Sequence, residues 1–514
     1  MGLEIVRRIR GNVHGSIDVS ELEDAVISHP YFQRLRRIKQ LAFLNYVFPG
    51  ATHTRFEHSL GVMHLAGVAW NKLLTNQERL YTALNRYGEF ETIEKRGTTK
   101  DEVIHGRISP TFALMGKIFQ SDYIIQALRL AALLHDLGHP PFSHSGERFL
   151  PSWQGILDQN PDLAPYLKEY IVQQIDELKA KGKDSSQVGV RHEIYSILMV
   201  DKVLKEVYEQ HPDLSLKIDP QDVVSIINPA IKPAEKSLLV EYHAYDLCRE
   251  LISGELDIDR MDYLLRDSRE CGVVYGVFDV DRILDSLCLY HDDEDNRIHV
   301  AINLSGLAAF EDYLRARHSM YLQLYFHKSS VSAEAMMQHL SKALRDWRLP
   351  AEVSEYAKVD EYNIGNVLVT AAKKQLDEQE IGEFKRQVDE LLYSRKLWKR
   401  VFELSGPKST VSEDHIGFAA KLLKEKNIPF ESISSGSSLT RFSPRRANQK
   451  SSNYLRLIKK DEKQFPRVVA IEDYSDVITS NREVVIHRIY VESALDNSGQ
   501  FLPTVAKGLL MKDG

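Results

Sequence analysis

Apolar residues recur at intervals of three and four through 55–75, 111–135, 191–209, 236–251, 306–326 and 366–401, a spacing that lines one face of a helix. The first four hundred residues therefore read as predominantly α-helical. Two stretches interrupt the pattern: 76–110 mixes Glu, Lys, Arg and Gly, and 151–190 carries prolines and the polar run Lys179–Ser186, so both read as polar insertions. Serine and glycine crowd 432–438, with Pro444, Arg445 and Arg446 just beyond, which makes 432–452 a loop or linker. After it the period changes. Residues 466–471 and 483–492 are short, β-branched and partly alternating, as strands are. The expected architecture is mainly α: a helical core over 1–405 with insertions near 76–110 and 151–190, followed by a small α/β lobe over 406–514.

Length and composition narrow the class without naming a function. The 514 residues allow one large core with a smaller lobe. Basic and acidic residues number 66 and 73, a net charge of −7, which argues against a protein that coats nucleic acid and confines any phosphate site to a local basic pocket. Three cysteines, Cys248, Cys271 and Cys288, cannot build a disulfide framework, so a reducing cytoplasm is the expected compartment. No apolar run approaches the roughly 18 to 20 residues of a membrane span, and no secretory signal opens the chain. Met1-Gly2 invites a lipidation reading, but Val6 stands where that signal wants Ser or Thr.

The densest chemistry lies at 131–147, where an apolar helix runs into His135-Asp136 and breaks at Gly138, Pro140 and Pro141. Burying a histidine beside a carboxylate is costly unless both are satisfied, and a divalent cation bound by both satisfies them directly. His139 follows one turn later and His144 lies past the break. The plainer alternative is a helix end that favours histidines through its dipole, with Asp136 as a cap. A second cluster, 52–61, sets Arg55 and His58 three apart on one face, a charge beside a ligand. A third, 255–267, spaces Asp259, Tyr263 and Asp267 four apart among Ile258, Met261, Leu264 and Leu265. That helix is expected to pack on a core, with some of its carboxylates directed into a cavity.

In order, His58, His135-Asp136 and Asp259 resemble the H…HD…D signature of the HD superfamily of metal-dependent phosphohydrolases. The flanks sharpen the likeness. Phe32-Gln-Arg-Leu-Arg-Arg-Ile-Lys-Gln-Leu, Tyr46-Val-Phe-Pro-Gly-Ala and Thr54-Arg-Phe-Glu-His-Ser-Leu-Gly resemble the deoxynucleoside triphosphate triphosphohydrolases, over roughly residues 5–330. No SAM domain precedes the match, so a bacterial relative of the vertebrate SAM-and-HD-domain enzyme is expected. The resemblance implies a metal held by His58, His135, Asp136 and Asp259, a mixed nitrogen and oxygen set suited to Mn, Fe, Mg, Co, Ni or Zn. It implies hydrolysis of a dNTP, dGTP included, to a deoxynucleoside and inorganic triphosphate. His144 matches the proton donor to the leaving 5′-oxygen, and His139, His192, Glu147 and Glu193 match positions that orient it or bind phosphate and a second metal. Glu147 stands where the vertebrate relative has the shorter Asp.

For the substrate, Arg55, Arg317 and Lys328 match phosphate-binding positions, and Arg260 replaces a lysine. Gln40 and Asp267 match readers of the 3′-hydroxyl; Tyr325 and Leu41 match residues that leave no room for a 2′-hydroxyl; Tyr263 matches a further pocket residue and His327 one at the base end. Nucleotide-activated relatives read guanine with an acid, here Ser28, together with positions matching Gln33 and Arg36; Arg10 and Gly11 replace Asn and Asp. The expected partners are dNTPs, a nucleotide activator and further copies of the chain, as a dimer or tetramer, with neither membrane nor nucleic acid. Two alternatives stand beside this reading. One is an HD phosphohydrolase acting on another nucleotide phosphoester. The other is a nucleotide- or single-strand-binding protein, supported by the basic cluster Arg441–Lys450.

Overall fold

Two strands open the chain, β1 (Ile5–Gly11) and β2 (Gly15–Ser20), paired antiparallel so that Gly11 faces Gly15 across the turn. The structure, a computed structural model, describes residues 3–85, 106–108, 121–292, 295–411, 413–438, 455–461, 466–480 and 483–492. Ser20 ends the hairpin and caps the helix Glu21–Ser28 reciprocally with Glu23. The body is mainly α. Its principal helices are α1 (Arg55–Asn85), α2 (Asp122–Leu134), α3 (His192–Gln210), α4 (Ile258–Cys271), α5 (Leu307–Met320) and α6 (Lys328–Ala343). One continuous apolar core runs from Ile17 and Val19 in the hairpin through Leu60, Leu130, Ile197 and Leu264 to Leu391.

Helix α1 packs against both α2 and α4, which brings three parts of the sequence to one place. Two glycines permit the closest approaches. A β-carbon on Gly138 would lie 2.1 Å from the Ser196 nitrogen, and one on Gly61 would lie 1.8 Å from the Asp262 carboxylate. Neither position admits a side chain without moving a helix.

The strands form two further sheets. Strands β3 (Gly106–Arg107), β4 (Leu287–Asp292) and β5 (Arg297–Asn303) are joined by the distant β8 (Arg456–Lys460) and β9 (Pro466–Ala470) in the order β3-β4-β5-β8-β9, with only β5 and β8 parallel. Strands β6 (Lys399–Pro407), β7 (Phe430–Ser437) and β10 (Val484–Val491) form an antiparallel sheet in the order β6-β10-β7. Helix Glu413–Glu425 shares a small separate core with it, through Val401, Ala419, Leu423 and Ile489.

Several expected elements differ in detail. The stretch 236–251 is two helices, Leu238–Glu241 and Tyr245–Ser253, broken where His243 takes a positive φ of 55°. The stretch 366–401 splits into Ile364–Gln375 and Glu378–Leu392, because Asp377 starts a new helix with a capping box, and it then ends in β6. Residues 432–437, expected as loop, are strand: each of them pairs with β10, and pairing overrides their weak propensity. The polar stretch 151–190 carries helices Trp153–Gln159 and Pro165–Ala180, and α1 continues into the first insertion as far as Asn85. Residues 441–450 lie outside the described residues. All three cysteines are free.

Candidate active site

Helix α2 ends at Leu134, so His135-Asp136 emerges at its C-terminus and the chain turns immediately. Phe142 and Ser143 both take left-handed φ values of 64° and 51°, a strained conformation that neighbouring contacts must hold. They do. Arg34, fully buried, donates to the His139 carbonyl at 2.9 Å; Tyr356 donates to the Gly138 carbonyl at 2.7 Å; and Glu361 accepts from the Phe142 backbone at 3.3 Å.

The turn presents Asp136 to α1 and α4. His58 Nε2 lies 3.6 Å from Asp136 Oδ2 and 2.9 Å from Asp259 Oδ1; His135 Nε2 lies 3.6 Å from Asp136 Oδ1 and 3.5 Å from Asp259 Oδ1. The other ring nitrogens are committed: His58 Nδ1 is 2.8 Å from Asp262 Oδ2, and His135 Nδ1 is 2.8 Å from the Ala132 carbonyl. Each Nδ1 therefore carries the proton in a neutral ring, which leaves a lone pair on each Nε2. Both Nε2 atoms are buried and neither makes a hydrogen bond among the described residues. Two orphaned imidazole lone pairs facing two carboxylates are a donor set that a divalent cation fits.

The surrounding charge favours a cation at this place, and a proton on His58 Nε2 is one such cation that a metal would have to displace. Burial pushes His58 down, but the Asp259 and Asp262 carboxylates outweigh it and raise the imidazole to about 10. Burial likewise opposes ionisation of Asp136, yet Arg55 and His135 hold it well below the usual carboxylate range. Arg55, matched by resemblance to a phosphate-binding position, is bonded here to Asp136 and to Ser143 Oγ at 2.9 Å.

A second cluster adjoins the first through His139, whose Nε2 lies 3.3 Å from Asp136 Oδ1. The His139 and His192 rings stack at 3.6 Å, and His144 stands edge-on to both. Glu147 Oε1 bridges His144 Nδ1 at 3.0 Å and His192 Nδ1 at 2.5 Å; Glu193 lies 3.5 Å from His192. Although burial opposes it, these hydrogen bonds lower Glu147 to about 2. His139 is held well below its usual value by burial and by Arg55. The His144 side chain is 74% exposed, the only open ring of the three.

Two turns along α4 from Asp259 lies the third group. Asp267 accepts from Tyr325 Oη at 2.7 Å and pairs with His53 Nε2 at 2.8 Å. Gln40 is buried beside this segment, its backbone N–H bonded to the His53 carbonyl and its Oε1 without a hydrogen bond among the described residues. Leu41 is half-buried against the core. A π-helical turn, Tyr321–Tyr325, follows α5 and packs Tyr325 against Tyr321 at 5.0 Å and Tyr263 at 6.2 Å. Such turns recur at functional sites. Arg317 sits 5.7 Å from the Tyr321 ring. Arg260 is buried and paired with Asp257 at 3.3 Å, its Nη1 without a hydrogen bond among the described residues. His327 caps α6 beside Phe48, and exposed Lys328 begins that helix. Gln33 and Arg36 are joined at 2.8 Å, and Arg36 lies over the Phe56 ring at 3.5 Å.

Sequence reasoning passed over four polar residues that support these groups: His14, His53, Asp262 and Arg266. Asp262 and Arg266 carry a local signal, an acid four residues before an arginine. A cavity of about 580 Å³ on the far side of His14, lined by His64, Val68, Leu265 and Arg269, touches none of the expected metal ligands.

A family model described as "HD associated region" matches residues 278–425. The chain is 31% identical over 318 residues to an uncharacterised Bacillus subtilis protein, covering 61% of this chain and 51% of that one. It is 27% identical over 340 residues to the chicken deoxynucleoside triphosphate triphosphohydrolase SAMHD1, covering 65% and 45%. The chain thus spans about half the length of the curated relatives it matches. A crystal structure of a hypothetical protein from Aquifex aeolicus superposes with a TM-score of 0.59 at 23% identity, covering 98% of this chain and 99% of that one.

Proposed function

Since this chain belongs to the HD-domain phosphohydrolases, we propose that it hydrolyses deoxynucleoside triphosphates to a deoxynucleoside and inorganic triphosphate. The observation that carries the reading is the Asp267–Tyr325–His53 cluster, whose carboxylate stands on the same helix as Asp259 and which lies next to buried Gln40. A carboxylate, an amide and a tyrosine ring are the groups needed to read a 3′-hydroxyl and to exclude a 2′-hydroxyl. A phosphoester lacking deoxyribose would have no use for them.

His58, His135, Asp136 and Asp259 would hold a divalent cation. When bound, it would polarise the α-phosphate and acidify a water for in-line attack. The chain supplies the rest. His144, open to solvent on one side and oriented by Glu147 on the other, delivers a proton to the departing 5′-oxygen. Glu147 stays ionised throughout the neutral range and fixes His144 through Nδ1. Arg55, which is bonded to Asp136, together with Arg317, Arg260 and Lys328 would balance the triphosphate charge. Gln33 and Arg36 form the expected activator contact, and the working unit is a cytoplasmic homo-oligomer. Among the described residues no helix is long and apolar enough to cross a membrane.

The test is to incubate the purified chain with Mn²⁺ or Mg²⁺ and the four dNTPs, singly and mixed, and to separate the products chromatographically. Deoxynucleoside with intact triphosphate is expected. Release of monophosphate or pyrophosphate instead, or no product from any combination, would overturn the reading.

A further inference from the structure

One fully satisfied buried carboxylate next to the candidate metal site, Asp262, is not itself one of the expected metal ligands. Asp262 is wholly buried, and each of its oxygens meets two donors. Oδ1 lies 2.8 Å from Arg266 Nη2 and 2.6 Å from His14 Nε2; Oδ2 lies 2.8 Å from Arg266 Nε and 2.8 Å from His58 Nδ1. Four donors fill the accepting capacity of one carboxylate in its plane, so the group has no freedom to turn.

That rigidity bears on His58. An imidazole whose Nδ1–H is fixed by an immobile acceptor has both its tautomer and its ring plane set, and its Nε2 then points where the carboxylate dictates. Nε2 of His58 is the atom facing Asp136 and Asp259. The close passage of α1 over α4 at Gly61 is what admits the Asp262 carboxylate to this position, since any β-carbon there would overlap it.

Two of the hub's contacts come from almost 250 residues away. His14 lies in the turn between β1 and β2, and Asn12 of the same turn accepts from Arg266 at 3.3 Å and is bonded to Glu270. The first strand of the hairpin is exposed, whereas Ile17 and Val19 of the second enter the core, so the hairpin is already seated when its turn reaches α4. Its turn is docked onto the residue that aims His58.

We propose that Asp262 is a positioning residue for the metal centre and that the N-terminal hairpin, through His14, is part of that centre's support. The inference rests on reading His58 as a metal ligand, but not on the identity of the substrate. Loss of the hairpin contact loosens the cation without touching any ligand.

The experiment is Mn²⁺ affinity of the full-length chain, measured by competition with a fluorescent chelator, for the unaltered protein and the variants Asp262→Asn, His14→Phe and His58→Ala. Asp262→Asn is expected to weaken Mn²⁺ by about 10- to 100-fold. His14→Phe keeps a ring in the turn while removing one donor, and is expected to weaken it by about threefold or more. Should Asp262→Asn fail to fold with Arg266 left unpaired, His14→Phe still decides the matter. Unchanged Mn²⁺ affinity in folded variants, even with lowered melting temperature, would reduce Asp262 and His14 to structural roles and overturn the proposal. If His58→Ala also binds Mn²⁺ normally, the fault lies with the metal-ligand reading and not with the relay.

Discussion

Tyr325 and Asp267 are joined by a 2.7 Å hydrogen bond from the phenol to the carboxylate, and His53 occupies the other carboxylate oxygen at 2.8 Å. Burial and the Asp267 charge push the phenol's pKa upward, so the hydroxyl remains a donor at every working pH. The ring and the hydroxyl thus have separable tasks. Tyr325→Ala removes the ring that fills the space beside the sugar, and the preference for dNTP over NTP is expected to fall by about tenfold or more. Tyr325→Phe keeps the ring and is expected to retain that preference while changing KM modestly. Paired kcat/KM values for dGTP and GTP check both; unchanged discrimination in Tyr325→Ala would refute the assignment.

The raised His58 sets a pH signature for the metal-free protein. Its folded value of about 10 exceeds its ordinary 6.5, so its stabilising contribution is complete below pH 6.5 and is lost as pH rises toward 10. Metal binding has the opposite slope, because the cation must displace that proton. His299, raised to about 9 by Glu250 and Asp295 against its own burial, adds to the stability loss but not to the metal effect. The expectation is a falling melting temperature in EDTA between pH 6.5 and 9.5, with Mn²⁺ affinity rising over the same interval. Equal slopes in His58→Asn and the unaltered chain would sink the assignment.

Among the proposed metal ligands, Asp136 is one whose removal is expected to carry a folding cost beyond the loss of metal. Its carboxylate is bonded to buried Arg55, and stranding a buried charge costs about 3–5 kcal/mol. Asp136→Ala is therefore expected to abolish hydrolysis, lower metal content and reduce the metal-free melting temperature together. Combining it with Arg55→Met should recover stability but not activity, as calorimetry beside turnover would show. Recovery of turnover would remove Asp136 from the metal site.

His144 and Glu147 are expected to act as one unit, since Glu147 Oε1 holds His144 Nδ1. His144→Ala is expected to lower kcat by roughly 10² to 10⁴ with metal and substrate binding retained. Glu147→Gln should cost less, and the double variant no more than His144→Ala alone. Additive losses in the three kcat values would show that the two residues work independently.

Much of this arrangement was visible in the chain. His58, His135, Asp136 and Asp259 could be picked out because their chemistry is dense and their helices are strongly periodic, and the family resemblance supplied their order. The mainly helical body was legible for the same reason. What local pattern could not carry was long-range pairing: β4 and β5 are completed by β8 and β9 from beyond residue 455, and no periodicity names a strand's partner. The supporting residues were hidden similarly. His14 reaches Asp262 across 248 positions, and Asp262 sits one residue off the Asp259–Tyr263–Asp267 stripe that drew the eye. Helix ends at His243 and Asp377 depended on a positive φ and a capping box, which interrupt an apolar stripe without changing its spacing.

The last expectation concerns the carboxy-terminal sheet. Strand β10 reaches the start of α6 twice: Arg488 Nη1 donates to the Phe326 carbonyl at 2.6 Å, and Tyr490 Oη donates to the Lys328 carbonyl at 2.9 Å. Arg488 is itself buried and anchored to Glu403 at 2.6 Å. Between those two carbonyls lies His327, so the sheet fixes the backbone around two residues proposed for the substrate. A charge-assisted hydrogen bond of this kind contributes about 1.5–3 kcal/mol. Arg488→Met should therefore loosen His327 and Lys328 and raise KM by about three- to tenfold, leaving kcat and Mn²⁺ affinity within twofold, because the metal ligands stand on α1, α4 and the turn after α2. Tyr490→Phe, which loses a neutral bond, should move KM in the same direction by less. A drop in kcat with KM unchanged would show that the sheet supports the chemical step and not the substrate's placement.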